Sequence, residues 1–142
     1  MQIHNRWIIV FAAALVALMG CDNDPPKSKA AAPAAASAVA VPGGVKRITL
    51  TDLEVKRLGI AYAEVTKTGN MLTVPYNTLL YDTSGGEWAF SNPEPNIYTR
   101  TRLKVVAIEG DKVFLQEGPP MGTKLVTYGA AELYGIEFGV GK

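Results

Sequence analysis

The chain has 142 residues, enough for one ordinary domain. It carries 14 Lys and Arg against 13 Asp and Glu, and loss of residues 1–20 removes Arg6 alone, leaving 13 against 13. A neutral chain without a basic run gives no reason to expect nucleic acid or anionic lipid headgroups as partners.

Residues 1–20 have the layout of a secretory signal. His4 and Arg6 form a short basic head, and residues 7–20 are an uncharged, mostly apolar run of 14. A bilayer-spanning helix needs about 20 such residues, so the run fits a signal core better than a membrane span. The stretch Leu18-Met19-Gly20-Cys21 resembles a bacterial lipobox, with Met19 the less usual residue at its position. That resemblance implies cleavage between Gly20 and Cys21 and acylation of Cys21. The alternative is a free thiol, or an ordinary secreted chain. Cys21 is the only cysteine, so an intrachain disulfide is excluded. A triacylated cysteine would be an effectively permanent anchor. Asp22 resembles the residue that keeps lipoproteins in the inner membrane of enteric bacteria.

Residues 22–44 are rich in Ala and Pro, with no aromatic residue and no large aliphatic beyond two valines. Such a segment buries too little apolar surface to offset its ordering entropy, and Pro33 and Pro42 interrupt an Ala-rich helix. The expectation is a solvated tether. Its 23 residues reach at most about 75–80 Å, and nearer 25–30 Å as a coil.

Residues 45–142 form the expected domain. Residues 46–50 read as a strand. Thr51-Asp52-Leu53-Glu54 is a capping box opening a helical turn to Leu58, with Gly59 at the C′ position. A strand over 60–66 and a turn over 67–70 lead to the central hairpin, 72–90. Its first strand alternates apolar and polar residues, with one break at Thr78, and Pro75 makes it an edge or bends it. Asp82-Thr83-Ser84-Gly85-Gly86 is its turn, and Trp88 and Phe90 share a face of the returning strand. Residues 91–96, with two prolines, read as a loop. The longest candidate strand is 97–108. Ile97, Thr99, Thr101, Leu103 and Val105 lie on one face, and Tyr98, Arg100, Arg102 and Lys104 on the other. Val105-Val106 breaks the alternation and predicts a bulge or a sheet crossing there. Gly110-Asp111 is a hairpin turn, followed by strands over 112–116 and 125–128 around a loop at 117–122. A helical turn over 130–134, stopped by Gly135, and a short last strand over 136–140 complete a mainly β chain. The pattern fits a small antiparallel β-barrel or sandwich with one or two short helical turns.

Catalytic chemistry is hard to assemble from these residues. Past the signal there is no histidine, and the one cysteine is the expected acylation site. Ser-His-Asp and Cys-His sites and the usual zinc and copper ligand sets are thereby excluded. Met71 and Met121 are conceivable soft metal ligands, but core or loop roles are simpler. The expectation is a protein without catalytic residues, metal or cofactor, apart from covalent lipid on Cys21. Interfaces favour Tyr and Arg, so Tyr98, Arg100 and Arg102 are the candidate partner-facing residues, a solvated strand face being the alternative.

From residue 74 onward the chain resembles the C-terminal part of the periplasmic adaptor subunits of RND efflux pumps, the membrane fusion proteins. The match runs through Val74-Pro75, Leu79-Leu80, Gly86-Glu87-Trp88-Ala89-Phe90, Tyr98-Thr99-Arg100 and Gly110-Asp111-Lys112-Val113. It closes with Glu117-Gly118-Pro119-Pro120-Met121-Gly122-Thr123 and Leu125-Val126-Thr127-Tyr128-Gly129-Ala130-Ala131-Glu132-Leu133-Tyr134-Gly135, the most specific stretch. Ile48-Thr49-Leu50-Thr51 and Leu58-Gly59-Ile60 resemble the segment before the family's lipoyl half. The resemblance implies the membrane-proximal β-domain alone. Only residues 66–71 stand where adaptors carry their lipoyl, helical-hairpin and β-barrel modules. It also implies docking on the periplasmic face of an inner-membrane RND transporter, or on a full-length adaptor, without bridging two membranes. The alternative is a stand-alone envelope lipoprotein that binds a small molecule or metal, with Trp88 and Phe90 lining a pocket.

Overall fold

The computed structural model describes residues 36–140. The expected signal, Gly20, Cys21 and Asp22, and the tether up to residue 35 lie outside the described residues. Within them the chain is mainly β. In order it forms β1 (Ser37–Val41), β2 (Val45–Thr49), α1 (Asp52–Arg57), β3 (Ala61–Glu64), β4 (Thr66–Thr68) and β5 (Met71–Pro75). A 3-10 turn (Tyr76–Thr78) leads to β6 (Leu80–Tyr81), β7 (Glu87–Glu94), β8 (Ile97–Arg102), β9 (Lys104–Glu109), β10 (Lys112–Glu117), β11 (Lys124–Tyr128) and α2 (Ala130–Phe138).

Two antiparallel sheets result. Sheet A has the order β1-β2-β8-β7-β11-β3, with β6 also on β7; sheet B has the order β4-β5-β10-β9. β1 and β3 end the first and β4 and β9 the second, so neither sheet closes on itself. Two apolar clusters hold them. The first joins Ile48, Phe90, Tyr98 and Val126 of sheet A, and Leu50 just past β2, to Ala130 and Leu133 of α2, with Val55 and Leu58 of the α1 turn against it. The second is aliphatic and draws Ala89 and Leu125 of sheet A against Val74, Val113 and Leu115 of sheet B. Sheet A is therefore covered on both faces, by helices on one and by sheet B on part of the other.

The chain passes between sheets at buried residues. Val65, buried and bonded through N–H and C=O to Thr123 and Gly122, carries it from β3 to β4. The expected strand over 60–66 is thus split. Pro75 and the 3-10 turn carry it back. The Thr78 hydroxyl donates to the Pro75 carbonyl at 2.7 Å and is fully buried, so the break in alternation at Thr78 marked the change of sheet. Leu103, whose N–H donates to the Glu87 carbonyl, splits the long strand into β8 and β9. The irregularity at Val105-Val106 is a bulge: Phe114 pairs with Ala107 and Leu115 with Val105, leaving Val106 over.

Three further expectations are corrected. Residues 37–41, assigned to the tether, form β1 and pair with β2 over five residues. Alanine is a poor strand former, but Ala36 and Ala38 pack on the first cluster, and the Ala36 N–H donates to Glu54 Oε1 at 2.8 Å. Residues 91–94, assigned to a loop, continue β7. The register slips between Ser91 and Glu94, and the Asn92 amide donates to the Ile97 carbonyl at 2.8 Å, beside Pro93, which has no N–H to give. Finally, α2 runs through Gly135 in place of the expected last strand. It stops at Gly139 (φ 72°), where the N–H groups of Gly139 and Val140 return to Ile136 and Gly135.

Candidate functional site

β7 and β8 pair directly, placing Trp88 opposite Arg102 and Phe90 opposite Arg100. Directly opposed residues share a face. That face lies under α2, so Trp88, Arg100, Arg102 and the helix side chains converge. The capping box that starts α1 pins the other end of the same face: the Glu54 N–H donates to Thr51 Oγ1 at 3.3 Å, and Thr51 N–H donates back to Glu54 at 2.7 Å. The Thr51 N–H, with further donors, holds the Glu54 carboxyl below its usual range.

At the α2 end, Arg100 Nε lies 2.7 Å from Glu137 Oε2. Both side chains are buried. Neither atom has an aligned hydrogen-bond partner among the described residues, so the contact is ionic rather than a straight hydrogen bond. The guanidinium carbon is 4.4 Å from the Trp88 ring centre, 5.2 Å from Phe138 and 5.6 Å from Tyr134. Glu137 also accepts the Lys46 N–H at 3.2 Å, and its carbonyl accepts from the Lys46 ammonium. This network ties the last helix to β2 and β8. A buried arginine needs such a partner; alone it would carry a large desolvation cost.

Trp88 is held from its other end. Its indole N–H donates to Asp82 Oδ2 at 2.9 Å, while Asp82 Oδ1 accepts from the Ser84 hydroxyl and N–H and from the Gly86 N–H. The Ser84 hydroxyl, then Gly86 and Trp88, push the Asp82 carboxyl far below its usual range. Gly86 is required for space: a Cβ there would lie 2.8 Å from Asp82 Oδ2 and 2.9 Å from the indole nitrogen.

The expected strand face over 97–104 is inverted. Tyr98 is 0 % exposed and Arg100 is buried, so neither offers a partner-facing surface. Of the three candidate partner-facing residues only Arg102 is exposed, 5.5 Å from the Trp88 ring. Tyr98 stacks on Tyr62 with ring centres 6.4 Å apart and shares a 2.7 Å hydroxyl contact with it. Burial first, and then that contact, raise the Tyr98 hydroxyl well above the ordinary tyrosine value. Phe90 is fully buried in the first cluster and Trp88 is taken up by Asp82 and Arg100, so the two rings pack rather than line a pocket. Met71 and Met121 are exposed, and among the described residues no three His, Cys, Asp or Glu side chains come together as a metal set. An open groove of ≈ 680 Å³ lies beside Tyr62, between the tip of the β7–β8 hairpin and Lys124.

Glu137, Tyr134 and Phe138 were not anticipated. Their spacing of three and four residues is the helical signal that was there to be read, had Gly135 not been taken as a stop. Around the buried pair, Arg102 and Phe138 are exposed and Trp88 is half-buried. The chain matches no family model, no curated protein and no solved structure.

Proposed function

We propose that this chain is a lipid-anchored accessory component of an RND-type efflux system, held by Cys21 on the periplasmic side of the inner membrane. It acts by docking on the transporter or on a full-length adaptor, and not by catalysis. The observation that carries the reading is the placement of the β4–β5 turn. Residues 66–71 form a tight exposed hairpin where the resembling adaptors carry their interior modules, and the strands before it, β1 to β3, interleave with later strands in sheet A. The aliphatic cluster between the sheets is compatible with a sandwich-like membrane-proximal domain. The docking patch of this reading is Arg102 of the basic strand face, with Trp88 beside it and Phe138 of α2.

The test is crosslinking in cells of the epitope-tagged protein, read by mass spectrometry. Crosslinks from the Arg102 side to an RND transporter or adaptor are the expected result. Crosslinks confined to unrelated envelope proteins would sink the reading.

A further inference from the structure

Besides β6, a two-residue strand on β7, four strands end the two sheets, and three of these carry features that resist the addition of another strand. β3 slips register against β11 and ends in Glu64. β4 has three residues centred on Lys67. β9 is bulged at Val106 and charged at both ends. Bulges, short strands and charges are the usual protections of a sheet edge. β1 has none of them. Its five residues, SAVAV, carry no charge and no proline, and they pair with β2 in unbroken register. Its other side meets no strand among the described residues, leaving a row of backbone N–H and C=O groups facing outward.

The flank of β1 carries an apolar strip, interrupted by Arg47, which lies directly opposite Val39. By register Val39, Val41 and Val45 share the face of sheet A that lies away from the helices, and Ile97 joins them through Thr49. These four belong to neither apolar cluster; Val39 is 62 % exposed, Val41 and Ile97 are half-buried, and Val45 is buried.

The geometry points to β1 as a self-association edge, whose occupant is β1 of a second copy of this chain, antiparallel across a two-fold axis. Full overlap of the five residues sets Val39 opposite Val39 of the other copy, with Ala38 opposite Ala40 and Ser37 opposite Val41. This pairing opposes no like charges, and it joins the two valine strips into one. The same operation on β4 would set Lys67 against Lys67. With five strand residues a side against the roughly 20–30 residues of a standard interface, the dimer is weak and exchanges readily.

The experiment uses full-length protein. Directly opposed Cβ atoms in an antiparallel pair lie about 4.5–5.5 Å apart, within modest adjustment of disulfide reach. Val39→Cys should therefore give a disulfide-linked dimer on mild oxidation in membranes. It should exceed both the parent chain, whose only cysteine is Cys21, and an Ile108→Cys control on β9. A yield no greater than these controls overturns the proposal. In sedimentation of detergent-solubilised protein, Val39→Lys should weaken dimerisation roughly tenfold, because it sets two charges against each other and removes the valine contact. Dimerisation that ignores Val39→Lys, or a strictly monomeric parent at every concentration, overturns it equally. Neither readout involves a transporter, so this inference can fail while the efflux reading stands, and the reverse.

Discussion

On its helix-covered face sheet A packs through side chains with polar ends; on the face toward sheet B it packs through aliphatic groups alone. The first cluster holds Tyr98 and Phe90 and is rimmed by the Arg100–Glu137 pair, the Tyr62–Tyr98 contact and the Asp82–Trp88 bond. The second has no aromatic and no ionisable side chain. The aliphatic cluster sets how well the sheets adhere. The polar one adds orientation, because Arg100 and Tyr98 each have a fixed partner more than 30 residues away in sequence. Since both use sheet A, damage to either should unfold the domain in one transition.

The sharpest break is at the buried charge. Glu137→Ala leaves Arg100 uncompensated and should cost about 3–5 kcal/mol in urea unfolding. Replacing both partners together, Arg100→Met with Glu137→Leu, should recover most of that loss, because it removes the charge instead of stranding it. In the second cluster Leu115→Ala should cost about 2–5 kcal/mol, with no rescue by any charge change, because only volume is lost. Trp88, the sole tryptophan among the described residues, reports on the helix side. Its fluorescence and the far-ultraviolet circular dichroism should change together in both variants; separate transitions would show two independent units.

Gly86→Ala should cost about 1–2 kcal/mol by crowding Asp82 and the indole, with a shift of the Trp88 emission that Leu115→Ala does not give in the folded state. The gentlest probe is acid. Asp82 and Glu54 have folded values below their ordinary 3.8 and 4.5. The unfolded chain thus binds protons first. Their stabilisation is complete above the ordinary values and is lost as pH falls below them toward the lowered ones. Asp82→Asn should flatten that acid limb, while a variant of the aliphatic cluster should keep its slope.

Much of the local chemistry was legible in the sequence. The capping box at Thr51, the Asp82–Gly86 turn and the Val106 bulge depend on neighbours within a few residues, and each is present. The misreadings share a cause of longer range. A strand covered on both faces does not show by alternation which side is which, so the burial of Arg100 depends on Glu137, 37 positions later. β1 depends on β2 and the first cluster rather than on its own alanines. Gly135 and Gly139 both look like helix stops, and Gly139 serves because Ile136 and Glu137 have partners in the core.

The β4–β5 turn has a use apart from any history. Every residue from Thr66 to Met71 is exposed, and the two strands it joins are already neighbours. Closing a longer loop at that point costs little, with each doubling of length adding about 0.6 kcal/mol. The turn between Gly69 and Asn70 is therefore a port: a fluorescent protein or a second folded domain whose own ends lie close together can be spliced in there, leaving both sheets to form around it.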